Sequence, residues 1–356
     1  MKAGTPEQQR LARLRRVMRR RKIAALLVTS RENVRYLTGF SGSAGQVLIA
    51  SRSTALITDF RYQEQAARQT RGIQIVIQKR DAATAVRETA DRFGAAQVSF
   101  DESSLTVERV RLLKRKGLRL KGMSDPVAEL RQCKDAAELF RIGRAIRRAE
   151  ESFRELRRAV RPGMAERELA LRLEFLMRER GASRSAFDII VASGANGAMP
   201  HATVSDRRLR DGDLVTVDFG AEADGYFCDI TRTICIGRPS RSQREVHGLV
   251  LRAQEQAIKA VRPGVPCAAV DGAARDIITA AGHGDHFGHA TGHGIGLAVH
   301  EGPSLSALSK QVLAPGMVVT VEPGVYIPRW GGVRIEDMVL VTERGSRLLT
   351  SLPRDL

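Results

Sequence analysis

Apolar positions recur along the chain first at helical and then at strand spacing. Leu11, Leu14 and Met18 fall on one face of an otherwise charged segment, predicting an amphipathic helix over 7–21. Aliphatic and β-branched runs at 24–29, 47–50, 54–58, 73–77 and 98–101 predict strands, with helical patterns at 61–69, 82–93 and 106–116 between the later ones. This mixture predicts a small α/β domain at the amino terminus. The glycine-rich stretch TGFSGSAG at 38–45 lacks the Gly-Lys-Ser/Thr ending of a phosphate loop and the GxGxxG spacing, so it reads as a turn between strands. Ser124-Asp125-Pro126 marks a boundary, followed by a long helical segment over 127–160, a helix over 166–179 and a strand at 189–192.

The stretch LRDGDLVTVDFGAEADGYFCDITRT at 209–233 alternates with period two on both sides of ADG, which predicts a β-hairpin. A turn centred between Ala223 and Asp224 sets Asp218 opposite Asp229. Carboxylates paired across strands sit roughly 5 Å apart at Cβ and repel. A divalent cation is the simplest way to offset that repulsion inside an apolar hairpin.

The same pattern returns later in the chain. VRPG at Val160 recurs at Val261, and LRDGDLVTVDFG at Leu209 recurs as LAPGMVVTVEPG at Leu313, offsets of 101 and 104 residues. A duplicated helix-plus-hairpin unit follows from this repetition. Glu322 is then the counterpart of Asp218, and counting outward from Arg329 brings Glu336 opposite Glu322. Between the hairpins lies HFGHATGHGIGLAVHEGP, containing His286, His289, His293 and His300, from which a neutral imidazole is expected as a fifth ligand. Four carboxylates and an imidazole suit two five- or six-coordinate divalent ions, manganese, cobalt or zinc, and predict hydrolysis by a two-metal route. His201, in a loop, and the HxxH pair His283 and His286 are expected to be solvated unless other features support them.

Composition narrows the class further. At 356 residues the chain has room for two or three domains. No apolar run has the length of a signal-peptide core or a membrane span, so a cytoplasmic protein with no membrane partner is expected. Cys133, Cys228, Cys235 and Cys267 show no paired spacing, which argues against a zinc ribbon or disulfide framework. The net charge of +18 raises nucleic acid as a partner. However, the basic runs at 10–22, 109–121 and 141–161 lack interleaved aromatics, and arginine is abundant throughout, so solvated helix faces are expected instead.

The motifs VDFG, DITRT, GHGIG, EPG and RIED, in this order, resemble the dinuclear metallopeptidases of the pita-bread fold, which include Xaa-Pro aminopeptidases, prolidases and methionine aminopeptidases. The resemblance runs from Val127 to the carboxyl terminus. It implies Asp218, Asp229, His293, Glu322 and Glu336 as metal ligands, and His201, His289 and His300 as histidines that bind substrate and assist proton movement. Glu322 is also the implied proton carrier, and Tyr326 and Arg334 the implied lining of a proline-side pocket. SRENVRYLTGFSGSAG and TDFRY resemble the creatinase-like domain that precedes the catalytic one in Xaa-Pro peptidases. That domain implies a homodimer in which Asn33, Tyr36, Asp59 or Arg61 reaches substrate held by the partner.

The expected fold class is therefore α+β: a creatinase-like α/β domain over 1–124, then a pita-bread catalytic domain with internal pseudo-two-fold duplication over 125–356. The expected activity is that of an Xaa-Pro aminopeptidase using two divalent ions, manganese first, on proline-containing peptides. A prolidase is the alternative within the family, and a non-catalytic binding module on the same scaffold the alternative outside it.

Overall fold

In the computed structural model, which describes residues 4–356, the first helix starts where its sequence dictates. Thr5 and Gln8 form a reciprocal capping box, Pro6 occupies the first turn, and α1 (Pro6–Arg20) buries Leu11, Leu14, Val17 and Met18. β1 (Ala25–Val28) follows, then α2 (Arg31–Thr38), β2 (Gly45–Ala50), β3 (Thr54–Thr58), α3 (Gln63–Gln69), β4 (Gln74–Ile77), α4 (Ala82–Arg92), β5 (Val98–Asp101), α5 (Val107–Arg115), β6 (Leu120–Met123) and α6 (Pro126–Arg131). The six strands form one sheet in the order β4-β3-β2-β1-β5-β6, antiparallel at β1–β2 and β2–β3 and parallel elsewhere. The glycine-rich stretch connects a helix to a strand rather than two strands, because Gly39, at φ 77°, ends α2 in the left-handed region.

This first unit spans Met1–Arg131 and the second Gln132–Leu356. The expected single helix over 127–160 is two helices, α6 and α7 (Ala136–Ala159). Asp135 begins the second with its own capping box to Glu138, and Cys133 leaves the helical path to bridge Met317. Asn33 and Tyr36 do not face outward. Asn33 donates to Asp125 at 2.5 Å and accepts from Arg131 at 2.8 Å, and Tyr36 is buried against Leu130, so both hold α6 to its own unit. Asp59 is buried, and an ion pair at 2.8 Å ties it to the more exposed Arg61.

The second unit shows the duplication in its elements. α7 and α8 (Glu166–Glu179) precede the short β7 (Arg184–Ser185), β8 (Ile190–Ser193), β9 (Leu214–Phe219), β10 (Ala221–Ala223), β11 (Tyr226–Phe227) and β12 (Ile230–Cys235). α9 (Arg241–Ala260) and α10 (Cys267–Ala280) precede β13 (Gly292–Gly294), β14 (Glu301–Leu305), β15 (Val318–Val321), β16 (Gly324–Ile327), β17 (Gly331–Arg334), β18 (Asp337–Val341) and β19 (Ser346–Leu348). The two sheets at the centre run β12-β9-β8 and β14-β13-β15-β18-β19. α8 and α10 have equal length, 14 residues, and the strands each precedes stand in equivalent places.

Register decides where the carboxylates point. In the second hairpin Ile327 pairs with Gly331 and Val321 with Asp337, so the turn centres on Arg329 and Glu322 lies across from Glu336, as expected. In the first, Ala223 pairs with Tyr226 and Asp218 with Thr231. The expected pairing of Asp218 with Asp229 is therefore off by one at the turn. Asp224 and Gly225 both take positive φ, 53° and 82°, which is the two-residue turn that an Asp-Gly pair favours, and it moves the centre past Asp224. Asp229 consequently lies diagonal to Asp218 and opposite Gly220, where a Cβ would meet the Cys228 carbonyl oxygen.

One buried ion pair joins the two halves. Arg232 on β12 donates to Asp337 on β18 at 2.8 Å and to the carbonyls of Thr231, Leu352 and Pro353, each at 2.8 Å. Asp337 also accepts from Gln254, Thr350 and Arg354. Burial alone raises its carboxyl, yet Arg232, Arg354 and Thr350 hold it below the ordinary range. Arg232→Met removes the most deeply buried cation on Asp337 and leaves the Thr231, Leu352 and Pro353 carbonyls without their donor, while Gln254, Thr350 and Arg354 stay on the carboxylate. It is expected to cost about 3–5 kcal/mol in denaturant-induced unfolding. A loss under about 1 kcal/mol would contradict this role.

Candidate metal centre and cleft

The five residues expected as ligands converge from both halves. Asp218 leaves β9, Asp229 precedes β12, His293 sits in β13, Glu322 follows β15 and Glu336 lies between β17 and β18. Their donor atoms form overlapping triads, each within 4.8 Å: Asp218, Asp229 and Glu336; His293, Glu322 and Glu336; Asp229, His293 and His300. Among the described residues every such group of His, Cys, Asp and Glu lies here. Asp229, His293 and Glu336 each belong to two triads. His300 comes closer to the ligand set than a purely substrate-facing histidine, with its ring centroid 4.3 Å from that of His293.

Four of the five residues, all but Asp229, are held by a hydrogen-bond partner that leaves a lone pair free. Arg334 donates to Asp218 Oδ2 at 2.6 Å, Thr231 to Glu336 Oε2 at 2.8 Å and Thr320 to Glu322 Oε1 at 3.1 Å. His293 Nδ1 donates to the Gly294 carbonyl at 3.0 Å, which fixes the tautomer and aims the Nε2 lone pair at Glu322, 3.3 Å away, and Asp229, 3.6 Å away. Asp218 Oδ1, Asp229 Oδ1 and Glu336 Oε1 are buried with no hydrogen-bond partner among the described residues. Buried carboxylate oxygens without donors are costly. Burial and then neighbouring carboxylates push Asp229 and Glu336 well above the ordinary range, and burial also raises Glu322. Hard oxygen donors, one imidazole and three orphaned oxygens fit a pair of divalent cations.

The other expected site residues line or back the same cleft. His201 and His300 are exposed on its wall. His289 is half-buried, with Nδ1 donating to Ala290 O and Nε2 accepting from the Tyr326 hydroxyl, both at 2.8 Å. Burial lowers it to about 4, helped by the nearby charges of Arg334, His201 and Arg275, so it is neutral at pH 7. Arg334 donates to Tyr326 at 2.8 Å and to Pro200 O at 3.2 Å as well as to Asp218, and it is almost wholly buried. Its guanidinium is thus engaged with the protein at the wall of the cleft. His283 and His286 contact each other, 3.1 Å between Nδ1 atoms, apart from the triads.

Sequence reasoning passed over the residues that hold these loops. Glu166, at the start of α8 and fully buried, accepts from Ser193, Asn196 and Ser205, pinning both ends of the loop that carries His201. Asp271, buried on α10, accepts from Thr291 N and Oγ1 and pairs with Arg275, which donates to the carbonyls of Phe287 and His289. Helical carboxylates facing inward were the available signal, but amphipathic patterning alone does not separate them from surface charge. Thr231 and Thr320 were visible within the motifs and carried no assigned role.

The cleft encloses about 1130 Å³ and continues past the metal centre to Leu171, Phe187 and Ile189.

Comparisons with known proteins agree with this geometry. Residues 141–343 match the metallopeptidase family M24, and residues 10–133 match the creatinase/prolidase N-terminal domain. An uncharacterized peptidase of Bacillus subtilis, YqhT, is 42% identical over 98% of this chain and 99% of its own length. The solved Xaa-Pro dipeptidase from Bacillus anthracis superimposes with a TM-score of 0.96 at 40% identity, covering 98% of this chain and 99% of that one. The X-Pro aminopeptidase from Thermotoga maritima gives 0.90 at 37% identity, covering 97% and 100%. With its duplicated pita-bread catalytic unit behind a creatinase-like domain, the chain belongs to metallopeptidase family M24.

Proposed function

We propose that the protein is a metal-dependent exopeptidase that releases the amino-terminal residue from peptides with proline in second position. The observation that carries this reading is the five-donor centre with three orphaned carboxylate oxygens at the floor of a long cleft. Similarity to both an Xaa-Pro dipeptidase and an X-Pro aminopeptidase supports the substrate class. The cleft's volume of about 1130 Å³ leaves room for peptides beyond two residues, and so favours an aminopeptidase. A dipeptidase is the second reading, favoured by the similarity to the Bacillus anthracis protein.

Asp218, Asp229, His293, Glu322 and Glu336 would hold two divalent ions, with manganese, cobalt and zinc the candidates. When bound, such ions polarise a scissile carbonyl and acidify water. The chain's own residues supply the rest. Glu322, raised by burial and steadied by Thr320, is placed to carry a proton to the leaving proline nitrogen. His201 and His300 face the cleft and can donate to charge developing on the carbonyl oxygen. Neutral His289, backed by Tyr326, offers an uncharged wall suited to a proline ring. Arg334 orients Asp218 rather than binding a substrate carboxylate.

Stripping the protein with chelator and restoring manganese, cobalt or zinc separately should recover cleavage of both Ala-Pro and Gly-Pro-Leu. Cleavage of the dipeptide alone would replace the aminopeptidase reading with the dipeptidase one, and no metal-dependent cleavage of either would end both. Asp229→Ala should reduce turnover to background while leaving the circular dichroism spectrum unchanged.

Metal removal also has a pH signature. Asp229 and Glu336 bind protons more tightly in the folded metal-free chain than when unfolded. Their contribution therefore favours folding below the ordinary carboxylate range and is lost as pH rises through their elevated values. The melting temperature of the chelated protein should fall, relative to the metal-saturated protein, as pH rises above the ordinary carboxylate range. A gap that narrows over that rise would contradict the buried-carboxylate account.

A further inference from the structure

The positive charge is not spread evenly. Met1–Arg131 carries 27 arginines and lysines against 12 aspartates and glutamates, an excess of fifteen, while Gln132–Leu356 carries 31 against 28, an excess of three. Genome-wide arginine usage predicts an excess in proportion to length, yet the amino-terminal unit, the shorter of the two, holds nearly all of it. The expectation that these runs are ordinary solvated helix faces therefore needs revision for this unit.

Within it, α1 separates its arginines into two groups. Arg10 is buried, lies 4.5 Å from the Tyr36 ring centre and donates to Tyr36 O, Arg15 donates to Ala50 O and Thr54, and Arg21, just past the helix, pairs with Glu129. Arg13, Arg16, Arg19 and Arg20 are exposed, and their side chains make no hydrogen bond or ion pair with any described residue. With Val17 and Leu130 they line a shallow groove of about 650 Å³. Arg13, Arg16 and Arg20 follow helical i, i+3, i+7 spacing, so three like charges share one face, an arrangement that destabilises a helix unless an anion meets it. The face extends roughly 10 Å, the length of about three phosphates along one strand of a duplex.

We propose that the amino-terminal unit binds the phosphate backbone of duplex nucleic acid, without sequence preference, through Arg13, Arg16, Arg19 and Arg20. Guanidiniums match phosphate oxygens in geometry as well as charge. No aromatic stands among the four, so bases have nothing to stack on, which disfavours single strands. An anionic bilayer fits less well, because the apolar side of α1, Leu11, Leu14, Val17 and Met18, is packed inside the unit and α1 exposes no large apolar residue for insertion. This surface is independent of the peptidase chemistry.

Fluorescence anisotropy of a labelled 20-base-pair duplex with the full-length protein, titrated in sodium chloride, tests the proposal. Binding should weaken with a log–log salt slope of about −3 to −4. The variant carrying Arg13→Ala, Arg16→Ala, Arg19→Ala and Arg20→Ala should lose at least about tenfold in affinity at low salt and most of that slope, with thermal melting and peptidase turnover unchanged. A control with Arg111→Ala, Lys114→Ala and Arg115→Ala on α5 should keep both. No binding by the parent protein, an unchanged slope in the α1 variant, or equal losses in both variants would overturn the assignment. Tighter binding to phosphatidylserine vesicles than to duplex at equal phosphate would replace nucleic acid with a membrane surface.

Discussion

Mutual repulsion among four carboxylates is the constraint that the catalytic unit is built around. Asp218, Asp229, Glu322 and Glu336 crowd into triads whose atoms lie within 4.8 Å, and three of their oxygens meet no protein donor. The chain supplies only partial relief, through Arg334 on Asp218 and single threonine hydroxyls on Glu322 and Glu336. Burial makes the uncompensated remainder expensive. Two divalent cations would answer it by charge and by coordination, which would link the stability of this region to the chemistry proposed for it.

The rest of the unit holds these side chains against that repulsion. Duplication provides two hairpins, and Arg232 bonded to Asp337 ties one hairpin to the other beneath the site. Glu166 and Asp271, one on α8 and one on α10, each collect backbone and side-chain donors from the histidine-bearing loops. The loops bearing His201 and His289 are thereby positioned by buried carboxylates, while His293 is held in β13. The Arg334–Tyr326–His289 chain fixes the opposite wall, where burial, with the nearby charge of Arg334, keeps the imidazole neutral.

Much of this was legible in the sequence because alternation, turn chemistry and repetition are local. The second hairpin could be counted correctly from Arg329, since its three-residue loop is flanked by paired glycines and apolar residues. The first was displaced by one residue: Asp224-Gly225 is itself the turn, and Ala223 belongs to the strand. The break at 132–135 was hidden because the residues there are compatible with a helix, and the isolated bridge from Cys133 to Met317 is a long-range contact. Arg334 is implied by its motif as lining of the proline-side pocket, and it does lie on the cleft wall, but its bonds to Asp218, Tyr326 and Pro200 depend on three-dimensional burial that the sequence does not display. The uneven charge became meaningful only when the boundary between units and the unpaired face of α1 were known.

Membership of family M24 and the donor geometry together place the centre between the two halves. The most direct measurement is anomalous scattering from crystals grown with manganese. The account predicts two peaks, both within coordination distance of Asp229 and Glu336 and divided between Asp218 on one side and His293 with Glu322 on the other. A single peak, or peaks away from these five side chains, would contradict it.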